Sequence, residues 1–87
     1  MFERILDINA LDNFILLVKF ETGETKKYDL KPLFDKFEVF QDLKNIKGLY
    51  KQVKIDRSGY GIYWNDDIDL SSSTIYEKGQ LQDILNE

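Results

Sequence analysis

The clearest pattern in the chain is a run of apolar side chains over residues 14–20. The members of one face, at the two-residue period of a β-strand, are Phe14, Leu16, Val18 and Phe20. Ile15 and Leu17 make the opposite face apolar as well. Because successive side chains of a strand point to opposite faces, this run predicts a strand that is covered on both sides.

The segment after this strand predicts a hairpin. Residues 21–24 read Glu-Thr-Gly-Glu, and Gly23 can take the positive φ of a tight turn without steric cost. Residues 25–30 then alternate as the returning strand. Residues 4–10 predict an opening strand, joined to the apolar run by a turn at residues 11–13.

The second half of the chain predicts another hairpin and several short helices. Residues 53–56 and 60–64 alternate as strands around an Arg-Ser-Gly turn. The helical segments are a turn begun by Pro32 over residues 32–36, two pieces around residues 40–44 and 48–51, and a helix over residues 71–78. Ser71 or Ser72 is the expected N-cap of the last helix, with Thr74 as an alternative start, and Gly79 is its expected end.

These elements predict an α+β fold, a small antiparallel sheet of two hairpins with short helices packed on it. A chain of 87 residues is the length of a single domain. We assign that domain to residues 1–79 and interpret residues 80–87 as a C-terminal tail or a short amphipathic helix.

The amino-acid composition excludes several kinds of catalytic and metal-binding site. The chain has no Cys and no His, so it lacks a disulfide, a thiolate nucleophile and the commonest general base and metal ligand. We therefore expect no enzyme activity and no cofactor. No apolar run has the length of a signal peptide or a membrane span, so we expect a cytoplasmic protein with no membrane association. The net charge of −4 argues against direct binding of nucleic acid.

The densest cluster of carboxylates is the Asn-Asp-Asp-Ile-Asp run at residues 65–69. A Ca²⁺ loop starting at Asn65 would need Gly at its sixth position and Glu at its twelfth, but the chain has Leu70 and Tyr76 there. We therefore expect no metal site and interpret the run as a strand-to-helix turn. Asp69 is expected to lie near the helix N-terminus, whereas Asp66 and Asp67 are candidates for steering a basic partner.

Tyr60, Tyr63 and Trp64 could form a stacking platform on the second hairpin. Tyr60, Ile62 and Trp64 alternate with Gly61 and Tyr63, so one of these sets should face the core, and core packing of Trp64 with a half-exposed tyrosine is favoured instead. The serines at residues 71–73 have no His beside them, and helix capping explains them better than a Ser–Lys pair with Lys78.

Residues 61–70, Gly-Ile-Tyr-Trp-Asn-Asp-Asp-Ile-Asp-Leu, followed by Ile-Tyr-Glu at residues 75–77, resemble the bacterial family catalogued as domain of unknown function 2442 (DUF2442). Further matching segments are the turn at 21–24, Leu-Phe-Asp at 33–35, Phe-x-x-Leu at 40–43 and Leu-Tyr-Lys-Gln-Val at 49–53. The resemblance covers roughly residues 4–79. Asn65 directly follows Trp64, where the family usually has Pro. The chain differs from the family pattern at this position, which concerns the geometry of the turn.

The resemblance implies a fold more than an activity. Members of the family are small bacterial proteins, many encoded beside a second small protein in pairs that resemble toxin–antitoxin modules, and a similar domain occurs joined to a helix-turn-helix regulator. We expect a protein-binding domain, the antitoxin-like or partner member of such a pair, with Tyr60, Tyr63, Asp66 and Asp67 as contact residues. The alternative is a small-molecule or regulatory sensing module with a pocket lined by Tyr60, Tyr63 and Trp64. The identity of the partner and the oligomeric state stay open.

Overall fold

The computed structural model describes residues 3–81, which form strands and short helices in an α+β arrangement and confirm the predicted class. The strands are β1 (Ile5–Leu11), β2 (Ile15–Phe20), β3 (Thr25–Asp29), β4 (Lys54–Ile55), β5 (Gly61–Asn65), β6 (Ile68–Ser71) and β7 (Gln80–Leu81). The α-helices are α1 (Lys31–Lys36), α2 (Asp42–Asn45) and α3 (Ser72–Lys78), and 3₁₀ turns cover Asp12–Phe14, Glu38–Gln41 and Tyr50–Gln52.

The strands form two antiparallel sheets. One has four strands in the order β1-β2-β3-β7, and the other has three in the order β4-β5-β6. Both predicted hairpins are present, as β2–β3 and β4–β5, but each lies in its own sheet. The Ile5 N–H donates to the Gly59 carbonyl over 2.8 Å, which joins β1 to the β4–β5 turn.

The first hairpin follows its sequence pattern closely. The inward side chains of β2, Leu16, Val18 and Phe20, are fully buried, while Ile15 and Leu17 on the other face are partly buried. Gly23 has the expected positive φ of 98°. This face of β2 is the centre of the core.

The turn between β1 and β2 has an unusual backbone. Asn13 and Phe14 have φ values of 65° and 59°, the left-handed region that a bulky side chain such as Phe seldom enters. The strand consequently starts at Ile15, one residue later than predicted. The Phe14 ring packs edge-on against Phe34, with ring centroids 5.2 Å apart, and lies 5.0 Å from the Tyr50 ring. These contacts offset the backbone strain.

Polar side chains from distant segments bind the carbonyl groups around the same turn. The Tyr50 hydroxyl shares its hydrogen between the carbonyls of Leu11 and Ile15, at 2.6 and 2.9 Å. The ammonium groups of Lys31 and Lys51 donate to the carbonyls of Asn13 and Ala10, at 2.6 and 2.7 Å. The turn is therefore held by side chains 18 to 41 positions further along the chain than the carbonyls they bind, rather than by its own side chains.

The short helices cover the inward face of the sheets. Pro32 lies in the first turn of α1, as predicted, and helical residues 38–45 and 50–52 take the place of the two pieces expected around 40–44 and 48–51. Their buried side chains are Leu33, Phe34, Phe40, Leu43 and Tyr50, joined by Leu49 just before the last turn.

Helix α3 has the predicted ends. The Ser71 hydroxyl accepts from the Thr74 N–H at 3.2 Å, so Ser71 is the N-cap and the alternative start at Thr74 is wrong. Gly79 ends the helix with φ −75°, an extended rather than left-handed conformation. A Cβ atom at Gly79 would lie 2.6 Å from the Ile75 carbonyl oxygen. Glycine is required here because the chain passes too close to the helix for a side chain.

Tyr76 fastens α3 to the first hairpin. Its hydroxyl donates to the Glu24 carboxylate, and this hydrogen bond lowers the pKa of Glu24 below its usual range. The Lys26 ammonium lies 3.8 Å from the centre of the Tyr76 ring and donates to the Tyr76 carbonyl in the last turn of the helix.

The residues after α3 correct part of the sequence interpretation. Gln80 and Leu81 form β7, which pairs with Lys27 and Lys26 of β3, rather than the start of a tail or helix. Residues 82–87 of that predicted segment lie outside the described residues.

Candidate functional site

Strand β5 separates the aromatic residues of the second hairpin. Ile62 and Trp64 are buried, whereas Tyr63 lies on the outer face and is exposed. Tyr60 precedes the first residue of β5 and is 46% exposed. The predicted core position of Trp64 is confirmed.

Trp64 is held on the inner side of the sheet. Its indole N–H donates to the Tyr50 carbonyl over 2.9 Å, and its ring lies edge-on to Phe40 with centroids 6.2 Å apart. The three aromatic residues expected to line one sensing pocket therefore do not come together, because Trp64 faces away from Tyr63. Tyr60 and Tyr63 remain as surface aromatics.

The acidic run forms a hairpin turn. Asn65 pairs with Ile68, so that Asp66 and Asp67 make up a two-residue loop between β5 and β6. The Asn65 side-chain oxygen accepts the N–H groups of Asp67 and Ile68 at 2.9 and 3.0 Å. The interpretation as a strand-to-helix turn is wrong, since a further strand intervenes. The sequence signal that was missed is Asn65 just before the loop, because an Asn side-chain oxygen commonly accepts the backbone N–H two residues further on.

Asp69 does not lie at the end of a helix. It lies in the middle of β6, opposite Tyr63, and its side chain is exposed between buried Ile68 and partly buried Leu70. Ser71 caps α3 instead, so the predicted position of Asp69 beside the first amides of that helix is wrong. An exposed residue between two apolar neighbours, as Asp69 is between Ile68 and Leu70, is typical of a strand with one face in the core.

All four predicted contact residues line one open groove. Its volume is about 1280 Å³, and we call it the hairpin groove. Tyr60, Tyr63, Asp66 and Asp67 line it together with residues from both sheets, α1 and α3. The four residues that the sequence proposed as partner contacts therefore lie on one surface.

Charged side chains of both signs line the hairpin groove. The exposed carboxylates are those of Asp29, Asp56, Asp66, Asp67 and Asp69, and four of the five come from residues 56–69. The exposed lysines are Lys27 of β3, Lys36 of α1 and Lys78 of α3. The sequence did not indicate that these three lysines lie at one groove, because they are far apart along the chain.

Two carboxyl groups at the groove are stabilised in their charged form. The Asp56 carboxylate accepts the Ser58 N–H at 2.8 Å, and this bond lowers the pKa of Asp56. Partial burial acts to raise the pKa of Asp29, but hydrogen bonds from the Lys31 backbone and ammonium hold it below its usual range. Both groups carry negative charge at neutral pH.

An apolar ring completes the groove. Phe37 follows α1 and is 52% exposed, although it contacts Phe40 with ring centroids 6.1 Å apart. No sequence signal distinguished Phe37 from the buried aromatics around it. Together with Tyr60 and Tyr63 it gives the groove three exposed rings, on which a partner can bury apolar surface.

The part of the chain that the structure describes contains no cluster of metal-binding side chains. Within residues 3–81, no three of the side chains that commonly bind metals are grouped closely enough to hold an ion. Separately, none of the helices in those residues has the length and apolar character needed to cross a membrane.

The family model described as "Protein of unknown function (DUF2442)" matches residues 5–80. The chain belongs to this family. The match runs from the start of β1 to β7, so the DUF2442 domain includes both sheets, α3 and every element that lines the hairpin groove. No curated protein and no solved structure matches the chain.

Proposed function

We propose that this DUF2442 protein is a protein-binding domain that engages its partner through the hairpin groove. The observation that carries the proposal is the convergence of exposed aromatic rings and exposed carboxylates on one groove. In a bacterial cytoplasm the domain would act as the antitoxin-like or partner member of a two-gene pair. The role is one of binding, without a catalytic step.

The distribution of exposed apolar side chains supports this location. Among the described residues, five large hydrophobic side chains are markedly exposed, and three of them, Phe37, Tyr60 and Tyr63, line the groove. The other two are Leu6 and Ile46. Aromatic residues are enriched in the buried centre of protein interfaces, because they supply large contact area at low conformational entropy.

The carboxylates indicate the charge of the partner. Asp66 and Asp67 form the loop between β5 and β6, Asp69 lies in β6, and Asp56 directly follows β4. The whole chain carries a net charge of −4. A partner with a basic binding segment would be steered to this groove and held there by complementary charge.

The dimensions of the groove favour a polypeptide over a small ligand. At about 1280 Å³ and open to solvent, it is larger than pockets that enclose drug-sized molecules, which are roughly 300–1,000 Å³. The sensing alternative also loses Trp64 from its pocket. A binding surface for a protein segment therefore has the better support.

The test is affinity capture from the source cell with the neighbouring gene intact, using wild-type protein and two charge-matched variants. The groove variant is Asp66→Asn with Asp67→Asn. The control is Asp7→Asn with Asp35→Asn, two exposed carboxylates that do not line the groove. We expect wild type and control to retain one basic protein that the groove variant loses. Equal recovery by all three would contradict the proposal.

A further inference from the structure

Strand β6 forms one edge of the three-stranded sheet. Its pairing with β5 determines which of its backbone N–H and C=O groups point away from the sheet. The Ser72 N–H donates to the Tyr60 carbonyl over 2.9 Å. In an antiparallel ladder, hydrogen-bonded pairs alternate with pairs whose backbone groups face away. Ile62 and Leu70 are therefore hydrogen-bonded partners. Asp69, opposite Tyr63, points its own N–H and C=O outward.

The other side of β5 confirms this alternation. The Asp56 N–H donates to the Gly61 carbonyl over 2.8 Å, so the backbone of Gly61 faces β4 and not β6. Ser71, opposite Gly61, likewise directs its N–H away from β5. In the described part of the chain no strand pairs with this side of β6. The groups left without a strand partner among residues 3–81 are the N–H and C=O of Asp69 and the N–H of Ser71.

This edge lies at the hairpin groove, since Asp69, Leu70 and Ser71 all line it. An exposed strand edge is a template for pairing with another chain. The two faces of the edge differ in character. Asp69 and Tyr63 lie on the outer face, whereas Leu70 is directed toward the core and only partly covered.

We infer that the partner supplies an extended segment that adds to β6 as an antiparallel strand. This inference rests on the proposed function and specifies how it operates. Residues directly opposite one another in a pair share a face of the sheet. The segment should therefore carry Lys or Arg on the face of Asp69 and apolar residues, in alternation, on the face of Leu70.

A second copy of this chain is a poorer occupant of the same edge. An antiparallel pair of β6 strands would bring two copies of Asp69 toward the same face, where like charges destabilise pairing. Each copy also carries a net charge of −4. Charge complementarity selects a basic segment.

The test uses a synthetic ten-residue peptide of alternating Lys and Val with blocked ends. In the proposed antiparallel pairing, the amides that bond to β6 are those of the Lys residues, and the Val amides point away. We expect N-methylation of the central Lys amides to weaken binding about tenfold, the effect of losing one net hydrogen bond of moderate strength. N-methylation of the central Val amides should change it less than about twofold.

A matched pair of protein variants examines the same edge. Asp69→Asn removes the charge and keeps the N–H, whereas Asp69→Pro also removes the outward N–H without touching the β5 ladder. Both are checked for folding by circular dichroism. We expect the Pro variant to bind the peptide at least about fivefold more weakly than the Asn variant, because it also lacks the edge donor.

The outcomes separate this inference from the proposed function. Equal effects of the two methylation patterns, or a larger effect at Val, would overturn strand addition. If binding is then still lost in Asp66→Asn with Asp67→Asn, the groove as a protein-binding surface stands. No binding of the unmodified peptide would also overturn the inference. Concentration-dependent dimerisation in sedimentation, abolished by Asp69→Pro, would assign the edge to a second copy instead. If the Pro variant does not fold, the methylated peptides decide.

Discussion

The indole N–H of Trp64 donates to the backbone carbonyl of Tyr50, and this 2.9 Å bond joins the three-stranded sheet to the 3₁₀ turn at Tyr50–Gln52. Trp64 belongs to β5 of the three-stranded sheet, while Tyr50 begins the 3₁₀ turn that covers the β1–β2 turn. The Trp64 ring is 4% exposed. The same residue therefore supplies core volume and satisfies a carbonyl group of a neighbouring segment.

Replacement of Trp64 should separate these two contributions. Trp64→Ala is expected to lower the free energy of unfolding by about 3–5 kcal/mol, the range for removing a large buried aromatic. Trp64→Phe retains much of the apolar volume but leaves the Tyr50 carbonyl without its donor, and should cost about 1–3 kcal/mol. Urea denaturation of the three proteins measures both values. An Ala variant as stable as wild type would show that the ring is not part of the core.

Tyr50 should make the protein sensitive to alkali. Burial, aided by the charge of Asp12, raises the pKa of Tyr50 from about 10 to about 12. The unfolded chain loses this proton near pH 10, whereas the folded chain keeps it until about pH 12. The free energy of unfolding should therefore be unaffected by Tyr50 below pH 10 and fall by about 3 kcal/mol between pH 10 and 12.

Tyr50→Phe provides the comparison for this pH effect. At pH 7 it should lower stability by about 1–2 kcal/mol, because the carbonyls of Leu11 and Ile15 lose their donor. Between pH 10 and 12 its stability should fall less steeply than that of wild type. Tyr28 and Tyr76, whose pKa values are also raised, leave a residual slope. Parallel slopes for the two proteins in thermal melts would contradict the assignment.

The turn between β5 and β6 should depend on Asn65 rather than on Asp66 and Asp67. Asn65→Ala removes the acceptor of two backbone amides and should cost about 1–2 kcal/mol. Asp66→Ala with Asp67→Ala should change stability by less than about 0.5 kcal/mol, as exposed substitutions usually do. Chemical denaturation of both variants gives the comparison. The reverse order of stability would assign the turn to the carboxylates.

Neighbouring serines at the start of α3 should respond in opposite directions. The Ser72 hydroxyl is fully buried and has no hydrogen-bond partner among the described residues. Ser72→Ala is therefore expected to leave stability unchanged or raise it by up to about 1 kcal/mol, since it removes an unsatisfied group and improves helix propensity. Ser71→Ala removes the N-cap and should cost about 1 kcal/mol. A marked loss in Ser72→Ala would indicate an ordered water bound to its hydroxyl.

Local patterns predicted those parts of the fold that local forces decide. The alternation in β2, the glycine turn at Gly23 and the cap at Ser71 each depend on neighbours within a few residues. Strand β6 was not predicted, because four residues after a turn carry too little periodic signal to distinguish a strand from a linker. Pairing with β5 stabilises it, and that information is tertiary.

The candidate site was predictable in the same partial way. The four predicted contact residues lie in β5 or within two residues of one of its ends, so their proximity in the sequence reflects their proximity in the groove. The lysines of β3, α1 and α3 reach that groove only because two separate sheets and a helix meet there. No spacing along the chain encodes that meeting, and the exposure of Phe37 depends on it as well.

The β1–β2 turn, with its left-handed Phe14 and its donors from Lys31, Tyr50 and Lys51, makes the N-terminal hairpin dependent on the rest of the chain. A hairpin with a favourable turn can form within microseconds from local contacts alone. This one acquires the groups that hold its turn only when segments of high sequence separation have arrived. Ordering of β1 on β2 should therefore accompany the final cooperative step of folding, and an isolated peptide of residues 3–30 should remain largely unstructured.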